Sequence, residues 1–547
     1  MESGSGEAVG AERSSTFGDT DGATLRRHVS PLGCAVVVAL FALLLAILWS
    51  ASVHAVPGNS DGATVILEGK SISAGNLSLH GWRLSLDSFW GIDAPLYALA
   101  VLIVGVRPVL LNLVPAVLAA LVVVVGILTA REDRRGAGKI AGAVTVFALL
   151  GLPSHAMSVF FLQGPLHVGT ALWCLLAFAC LRRGRFGRAW IGAVVLLAAG
   201  CLGDAQTLVL GVIPVLLTGV AGMLRRRAWR AGIAEVSAAG AAVALALVVR
   251  GLALAVGTFS AHGTNVIASP HQRVANLSLG SSYFAKLLGV GSVGFGSGGV
   301  PSLLALAHVV GLLAVLGGVV FGLVQLARGT VAPRTTAAGE SWRLDDLLVL
   351  AFLGDVALFV FLTPAANPSY ARYLTDGVIF GSILAGRAMA RLADAVPWRS
   401  LARVSAGAGI GTVAAFATSF GVNLGQPLPH QPASQLIQFL TAHGLDDGIG
   451  DYWSASIVTV ESGDQVRVRP AVSTPSGRLE SYQKNSRVGW YEDAPFTFLV
   501  YNAALPFGNV DTQTARASFG PLSHTYFVDG YFVLVWSHPI TVPLAAP

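Results

Sequence analysis

Charge is what this chain has least of. Asp, Glu, Lys and Arg make up 12% of its 547 residues, where soluble globular proteins carry about 25%. So few charges exclude a disordered chain, a nucleic-acid-binding protein and an ordinary cytosolic enzyme. Lysine is almost missing: Lys70, Lys139, Lys286 and Lys484 stand against 31 arginines. That bias, with abundant Ala, Gly and Val, suits a GC-rich bacterial genome, so the sequons at Asn76 and Asn276 carry little weight. Cysteine is equally scarce. Cys34, Cys174, Cys180 and Cys201 all fall in apolar stretches, so no disulfide framework supports the polar segments. No Cys-x-x-Cys and no His/Cys metal spacing occurs, which argues against a zinc site.

What the chain has in quantity is hydrophobic length. It is 54% hydrophobic, with a mean hydropathy of +0.67. Eleven apolar stretches reach or approach the ~20 residues that a bilayer crossing needs. They lie near 32–53, 110–130, 140–155, 158–181, 189–203, 205–223, 231–254, 301–325, 346–364, 372–393 and 400–422. A further stretch, 94–106, is shorter and reads as a re-entrant or interfacial helix. The first stretch is too long for a signal-peptide core and lacks a clear small-residue cleavage site before Val56, so it reads as a retained span. Residues 1–30, rich in Gly, Ser and Glu, read as a disordered cytoplasmic tail.

The basic residues orient these spans. With the N-terminus in the cytoplasm, the tail and every second loop (131–139, 182–188, 225–230, 328–343 and 387–403) hold 22 of the 35 Lys and Arg, as retained cytoplasmic loops do. The net charge of +6 is therefore an orientation signal. An odd number of spans puts the C-terminus outside. Three segments then face outward: the loop 54–109, the loop 255–300 and the segment 426–547.

That last segment changes character. Helical spacing at 433–443 (Leu436, Ile437, Phe439, Leu440) gives way to strand-like runs at Ser456–Val460, Gln465–Arg469, Phe496–Tyr501, Thr525–Val528 and Tyr531–Trp536. About 120 residues suffice for a core of their own. The fold class expected is a polytopic α-helical membrane protein of about 11 transmembrane helices. Its membrane domain covers 31–425, and an extracytoplasmic α+β domain covers 426–547.

Charges at membrane depth are costly and commonly functional or paired. Those expected at the outer side are Asp87, Asp93, Asp204, Arg250, Asp355, Arg372 and Asp376, with Arg273 and Lys286 in the second loop. A carboxylate can deprotonate an attacking hydroxyl, and Arg can neutralise a phosphate. Transfer of a sugar from a lipid phosphate needs that pairing, because the leaving group is an anion. Each residue also has a plainer reading. Asp93 and Asp204 sit where helix caps belong, Arg372 and Asp376 have the spacing of a surface ion pair, and Asp355 suits a pair within the bundle. Arg250 can snorkel, and His155 and His167 suit a polar core. Asp87 resists such a reading, because it lies between aromatic residues (Trp82, Phe89, Trp90) in an amphipathic loop.

A long first outer loop with an acidic residue, then Ala94-Pro95-Leu96-Tyr97, then Gly105-Val106-Arg107-Pro108 leading into a span, resembles the GT-C glycosyltransferases related to protein mannosyltransferases and aminoarabinose transferases. Arg372-Tyr373-Leu374, opening a late span, is similar to a recurrent element of such proteins. The C-terminal Gly448–Ser456 resembles part of the outer domain of some actinobacterial membrane proteins of this type. Its Tyr452 and Trp453 read first as core aromatics. The resemblance covers about 32–425 and implies a polyprenyl-phosphate sugar donor and a polysaccharide, glycolipid or protein acceptor of the cell envelope. It implies Asp87 as catalytic carboxylate, assisted by Asp93 or Asp204, and Arg250, Arg273, Lys286 and Arg372 on the lipid phosphate. Trp90, Tyr97, His155 and His167 would meet sugar or acceptor. The chain departs from the pattern in lacking adjacent acidic residues soon after the first span. No Asp-x-Asp occurs in the outer loops, so no metal or other cofactor is implied. Two other readings stay open: a lipid or solute transporter, and a non-catalytic envelope assembly protein on the same scaffold.

Overall fold

In the computed structural model every one of the eleven apolar stretches is largely helical. α1 (Pro31–Ala55) leads into two helices of the first long loop, α2 (Ser60–Ser73) and α3 (Ala94–Val104), with the short strand β1 (Trp82–Ser85) between them. α4 (Leu110–Arg131) and α5 (Gly136–Val146) follow, the latter running on as a π turn to Gly151. Then come α6 (His155–Phe161), α7 (Val168–Leu181), α8 (Arg188–Gly203), a π turn leading into α9 (Ile213–Leu224), and α10 (Trp229–Ala255). The second long loop holds β2 (Ser260–His262) and α11 (Pro270–Leu287). The helical part closes with α12 (Val300–Val331), α13 (Ser341–Leu362), α14 (Thr375–Ala395) and α15 (Trp398–Leu424).

The structure describes residues 31–545 except 183–185, 225–228, 264–266, 292–299, 332–340, 363–366, 396–397, 430–432, 493 and 505–506. The tail expected over 1–30 lies outside the described residues. By internal contacts the chain divides after Leu43. Residues 31–43 are the first half of α1, largely exposed; everything below concerns the second unit, from Leu44 onward.

Among the described residues α1, α4, α10 and α12 are long and apolar enough to cross a bilayer on their own. α13 and α14 have the length, at 22 and 21 residues, but carry charges that are paired inside the protein. Arg343 of α13 donates to Glu235 of α10 at 2.7 Å, and Arg387 of α14 donates to Asp345 of α13 at 2.5 Å. α5 and α14 approach through glycine: a Cβ on Gly386 would lie 3.0 Å from the Gly142 carbonyl, the small-residue contact that lets membrane helices pack closely. The span expected over 158–181 is broken into α6 and α7. Gly164-Pro165 interrupts it, since proline lacks the N–H a helix needs and biases the residue before it toward extended backbone.

The C-terminal segment opens with α16 (Ser434–Ala442), β3 (Asp447–Gly450) and α17 (Tyr452–Glu461), followed by β4 (Arg467–Ser473), β5 (Leu479–Ser481) and β6 (Ser486–Arg487). It ends with β7 (Phe496–Asn502), α18 (Thr512–Phe519), β8 (His524–Val528) and β9 (Tyr531–Ile540). The main sheet has the order β5-β4-β3-β7-β9-β8. β3 runs parallel to β4 and β7, and the outer pairings are antiparallel. β6 leaves this sheet and joins the loops: β1 pairs with β2 on one side and with β6 on the other.

The run Ser456–Val460, expected as a strand, lies inside α17. Asp451 accepts from the Trp453 and Ser454 amides at 3.0 and 3.3 Å and starts the helix. The run does not alternate because α17 is covered on both sides: Val458 enters the sheet's core, while Ile457 and Val460 enter the core of α2, α3 and β1. Asp451→Ala is expected to destabilise the domain by about 2 kcal/mol, the upper range for a lost N-cap. A lowered Tm of the purified protein checks it, and an unchanged Tm refutes it.

Candidate active site

The first long loop builds one wall of a cavity of about 350 Å³. Asp61, Thr64, Val65 and Glu68 of α2 all line it, the spacing that places side chains on one helix face. The segment after β1 supplies Ser85, Asp87, Ser88 and Phe89. This segment is held flat against the end of α8: Phe89 has φ +53°, its amide donates to the Gly203 carbonyl at 2.7 Å, and a Cβ on Gly91 would collide with the Ala199 carbonyl. The break between α6 and α7 contributes Pro165, Leu166 and His167. Arg372 and Tyr373 come from a 3-10 turn (Pro368–Leu374) that opens α14, and Lys484 and Asn485 come from the C-terminal domain.

Behind His167 lies a buried network. Its Nδ1 is 2.8 Å from Asp204 Oδ2, which also accepts from Thr170 Oγ1 at 2.5 Å, while Asp204 Oδ1 accepts from the Gln206 amide at 2.9 Å. Burial alone would lower the His167 pKa; the Asp204 carboxylate reverses this and lifts it to about 9. Burial pushes Asp204 upward, but His167 and the three donors hold it below the ordinary carboxylate value. Both shifts favour a charged pair, with the proton on His167. Asp87, half-buried beside it, is raised by burial first and by the Asp204 charge second, with His167 and Arg372 opposing. Asp61 is raised by burial against a hydrogen bond from the Tyr452 hydroxyl and the charge of Arg372. Glu68 is pushed well up by burial, and its Oε2 has no hydrogen-bond partner. Arg372 lies over the Tyr373 ring, 5.0 Å from its centroid, and donates to the Tyr373 hydroxyl at 3.2 Å.

Of the residues expected from sequence, Asp87, His167 and Arg372 share the cavity. Asp204 stands directly behind them, against both His167 and Asp87. Asp93 occupies a helix N-cap position, but its side chain makes no cap bond; both its oxygens are buried without partners, and burial lifts it to about 8. It does not line the cavity. Tyr97 is fully buried beneath it, with its hydroxyl unpaired. Trp90 donates to the Leu77 carbonyl at 2.9 Å and packs edge-on against Phe259. The expected phosphate set shrinks. Arg250 lies over the Phe259 ring at 4.6 Å, Arg273 donates to the Ala268 carbonyl at 2.9 Å, and Lys286 is exposed; none of the three lines the cavity. His155 is exposed on the first turn of α6, neither core nor cavity. Arg372 and Asp376 do not form the i,i+4 pair, for both Asp376 oxygens lack a hydrogen-bond partner. Asp355 accepts from the Gly377 amide at 2.8 Å.

Sequence reasoning passed over Asp61, Glu68, Lys484 and Asn485. Asp61 and Glu68 were legible in principle. They are not adjacent, but seven residues apart on a helix they need not be, because that spacing returns to the same face. Nothing in the sequence points to Lys484 and Asn485, since a C-terminal turn reaches the cavity only through the pairing of β6 with β1.

No protein-family model matches the chain, and no curated protein matches it. Among solved structures, ArnT from Cupriavidus metallidurans in the apo state aligns with 92% of this chain and 98% of its own, at 14% identity and a TM-score of 0.51. The same protein bound to undecaprenyl phosphate aligns with 94% of this chain and 99% of its own, at 15% identity and a TM-score of 0.51. The fold is ArnT-like. It is the fold of a polytopic helical membrane protein with a C-terminal domain. The likeness runs through nearly the whole of both chains, C-terminal domain included.

Proposed function

We propose that the protein transfers a sugar from a polyprenyl-phosphate donor to a cell-envelope acceptor on the outer face of the bacterial cytoplasmic membrane. The observation that carries this reading is the meeting of Asp87 and Arg372 in one cavity, a base for a hydroxyl and a cation for a phosphate. The acceptor O–H attacks the anomeric carbon, Asp87 takes the proton, and the bond from that carbon to the phosphate oxygen breaks. Polyprenyl phosphate leaves as the anion, which Arg372 neutralises. A carboxylate whose pKa is raised toward neutrality is the better proton acceptor there. Asp61, one of two further carboxylates in the cavity with Glu68, suits an acceptor hydroxyl. His167 is held on both ring nitrogens, by Asp204 and by the Gln206 side chain at 3.0 Å, and lines the cavity beside Asp87. The undecaprenyl phosphate bound by ArnT supports a lipid of this chemistry. The alternation of basic loops supports an N-terminus inside and a C-terminal domain outside.

The purified full-length protein in nanodiscs is expected to bind undecaprenyl phosphate, and Arg372→Ala to weaken that binding about tenfold or more. Given envelope extract and polyprenyl-phosphate hexose or pentose donors, the wild type is expected to release polyprenyl phosphate. Donors that stay intact with no lipid binding overturn the reading. A donor that crosses the bilayer with its sugar still attached replaces it with transport.

A further inference from the structure

We propose that the C-terminal domain is a working part of the transfer site: its turn at 482–485 brings the cation Lys484 to the donor's phosphate, and its Tyr452 and Asn485 fix the Asp61 carboxylate. The identity of the anion rests on the function proposed above. The contribution of the domain to the cavity does not, because Lys484 and Asn485 line the same space as Asp87 and Arg372.

Two sets of contacts hold this part of the domain against the first loop, and a third closes its turn from within. α17 lies on α2, with Ser60 Oγ donating to the Trp453 carbonyl at 2.9 Å and Thr64 Oγ1 to Ser456 Oγ at 3.0 Å. β6 pairs with β1 in the register Trp82–Arg487 and Arg83–Ser486. The turn between α17's surroundings and β6 is itself closed. Ser486 Oγ donates to the Tyr482 carbonyl at 2.6 Å, Asn485 sits at φ +52°, and the Tyr482 ring packs 5.2 Å from that of Tyr452. Lys484 therefore projects from a fixed turn, which lowers the entropy lost when it engages a ligand.

Tyr452 looks like a core aromatic in sequence, and it is buried. A phenylalanine would fill a core equally well. The hydroxyl instead donates to Asp61 and accepts from Asn485 Nδ2 at 2.7 Å, so a three-membered chain ends on a carboxylate of the cavity. A buried hydroxyl that is satisfied on both sides orients its partners more firmly than a surface contact does. Tyr452 is thus a positioning residue for Asp61, and Lys484 is a binding residue. The cavity lining takes Arg372 from the helical part and Lys484 from this domain. An anionic group entering between them meets charge from two folding units.

The test uses full-length protein in nanodiscs, with undecaprenyl phosphate as the probe for binding and a polyprenyl-phosphate sugar for turnover. Lys484→Ala is expected to weaken lipid binding and raise the donor KM about tenfold, with kcat within about twofold; Lys484→Arg is expected to retain most of both. Tyr452→Phe is expected to leave lipid binding unchanged, lower kcat about tenfold and move the acid limb of its pH profile, a shift that a mere packing defect would not give. Lys484→Ala binding the lipid as tightly as wild type overturns the inference, as does a Tyr452→Phe variant with wild-type kcat and pH profile. A wild type that binds the lipid in a Lys484-dependent way but never consumes a donor sinks the proposed reaction and leaves the Lys484 site standing.

Discussion

Asp87→Asn is expected to cut kcat/KM for sugar transfer about a thousandfold, the range for loss of a positioned general base, while undecaprenyl phosphate still binds. The amide keeps the shape of the side chain and removes only its ability to take a proton. In the wild type the acid limb of kcat/KM is expected above the ordinary carboxylate range, because burial and the Asp204 charge both make Asp87 hold its proton longer. Arg372→Gln removes a charge that opposes this rise and is expected to move the limb to higher pH. A steady-state pH series on the three proteins decides it. Asp87→Asn retaining more than a tenth of wild-type turnover would show that another carboxylate is the base. Asp61, which also lines the cavity, is then the first to replace.

The largest loss of stability is expected far from the site, at the other end of α14. Arg372 and Arg387 are 15 positions apart in sequence, which along a helix is about 22 Å. There Arg387 and Arg391 share the Asp345 carboxylate, and Arg387 also donates to the Thr129 carbonyl at 2.7 Å. Arg387 and Asp345 are 2% and 1% exposed. Asp345→Ala leaves a buried guanidinium without its carboxylate and is expected to cost about 3–5 kcal/mol. Replacing both partners by apolar residues, Asp345→Leu with Arg387→Met, is expected to recover more than half of that, since the desolvation cost goes with the charges. Unfolding curves of the single and double variants measure both. A double variant no more stable than Asp345→Ala would mean that the pair stabilises the bundle outright.

Much of the architecture is legible in the sequence because two signals act over long windows. Apolar runs find the helices, and a resemblance resting on Ala94–Tyr97 and Arg372–Leu374 leads to the ArnT-like fold. What escapes is local. The 158–181 run is apolar throughout, and one Gly-Pro pair turns it into a loop that carries His167 to the cavity. Ser456–Val460 reads as a strand by its β-branched residues, yet Asp451 caps it into a helix that is buried on both sides. In the site, Asp87 and Arg372 are found by residue type in a suggestive context. Arg250, Arg273 and Lys286 have the same chemistry in similar segments, but the chain satisfies them elsewhere, on Phe259, on the Ala268 carbonyl and in solvent. Charge alone does not separate these cases. Lys484 is invisible for a different reason: its place depends on a strand pairing between residues some four hundred positions apart in sequence.

That pairing also sets when the protein can begin to act. β1 is made some four hundred residues before β6, with all the helices from α4 to α15 laid down between them. Until the segment that carries α17 and β6 has been made and has folded onto α2, Asp61 lacks the tyrosine that holds it and the cavity lacks a wall. Contacts of such long sequence separation form late. A nascent or truncated chain would thus carry its carboxylates and arginines in the membrane without an assembled centre. Activity would arrive in a single step once that segment is in place.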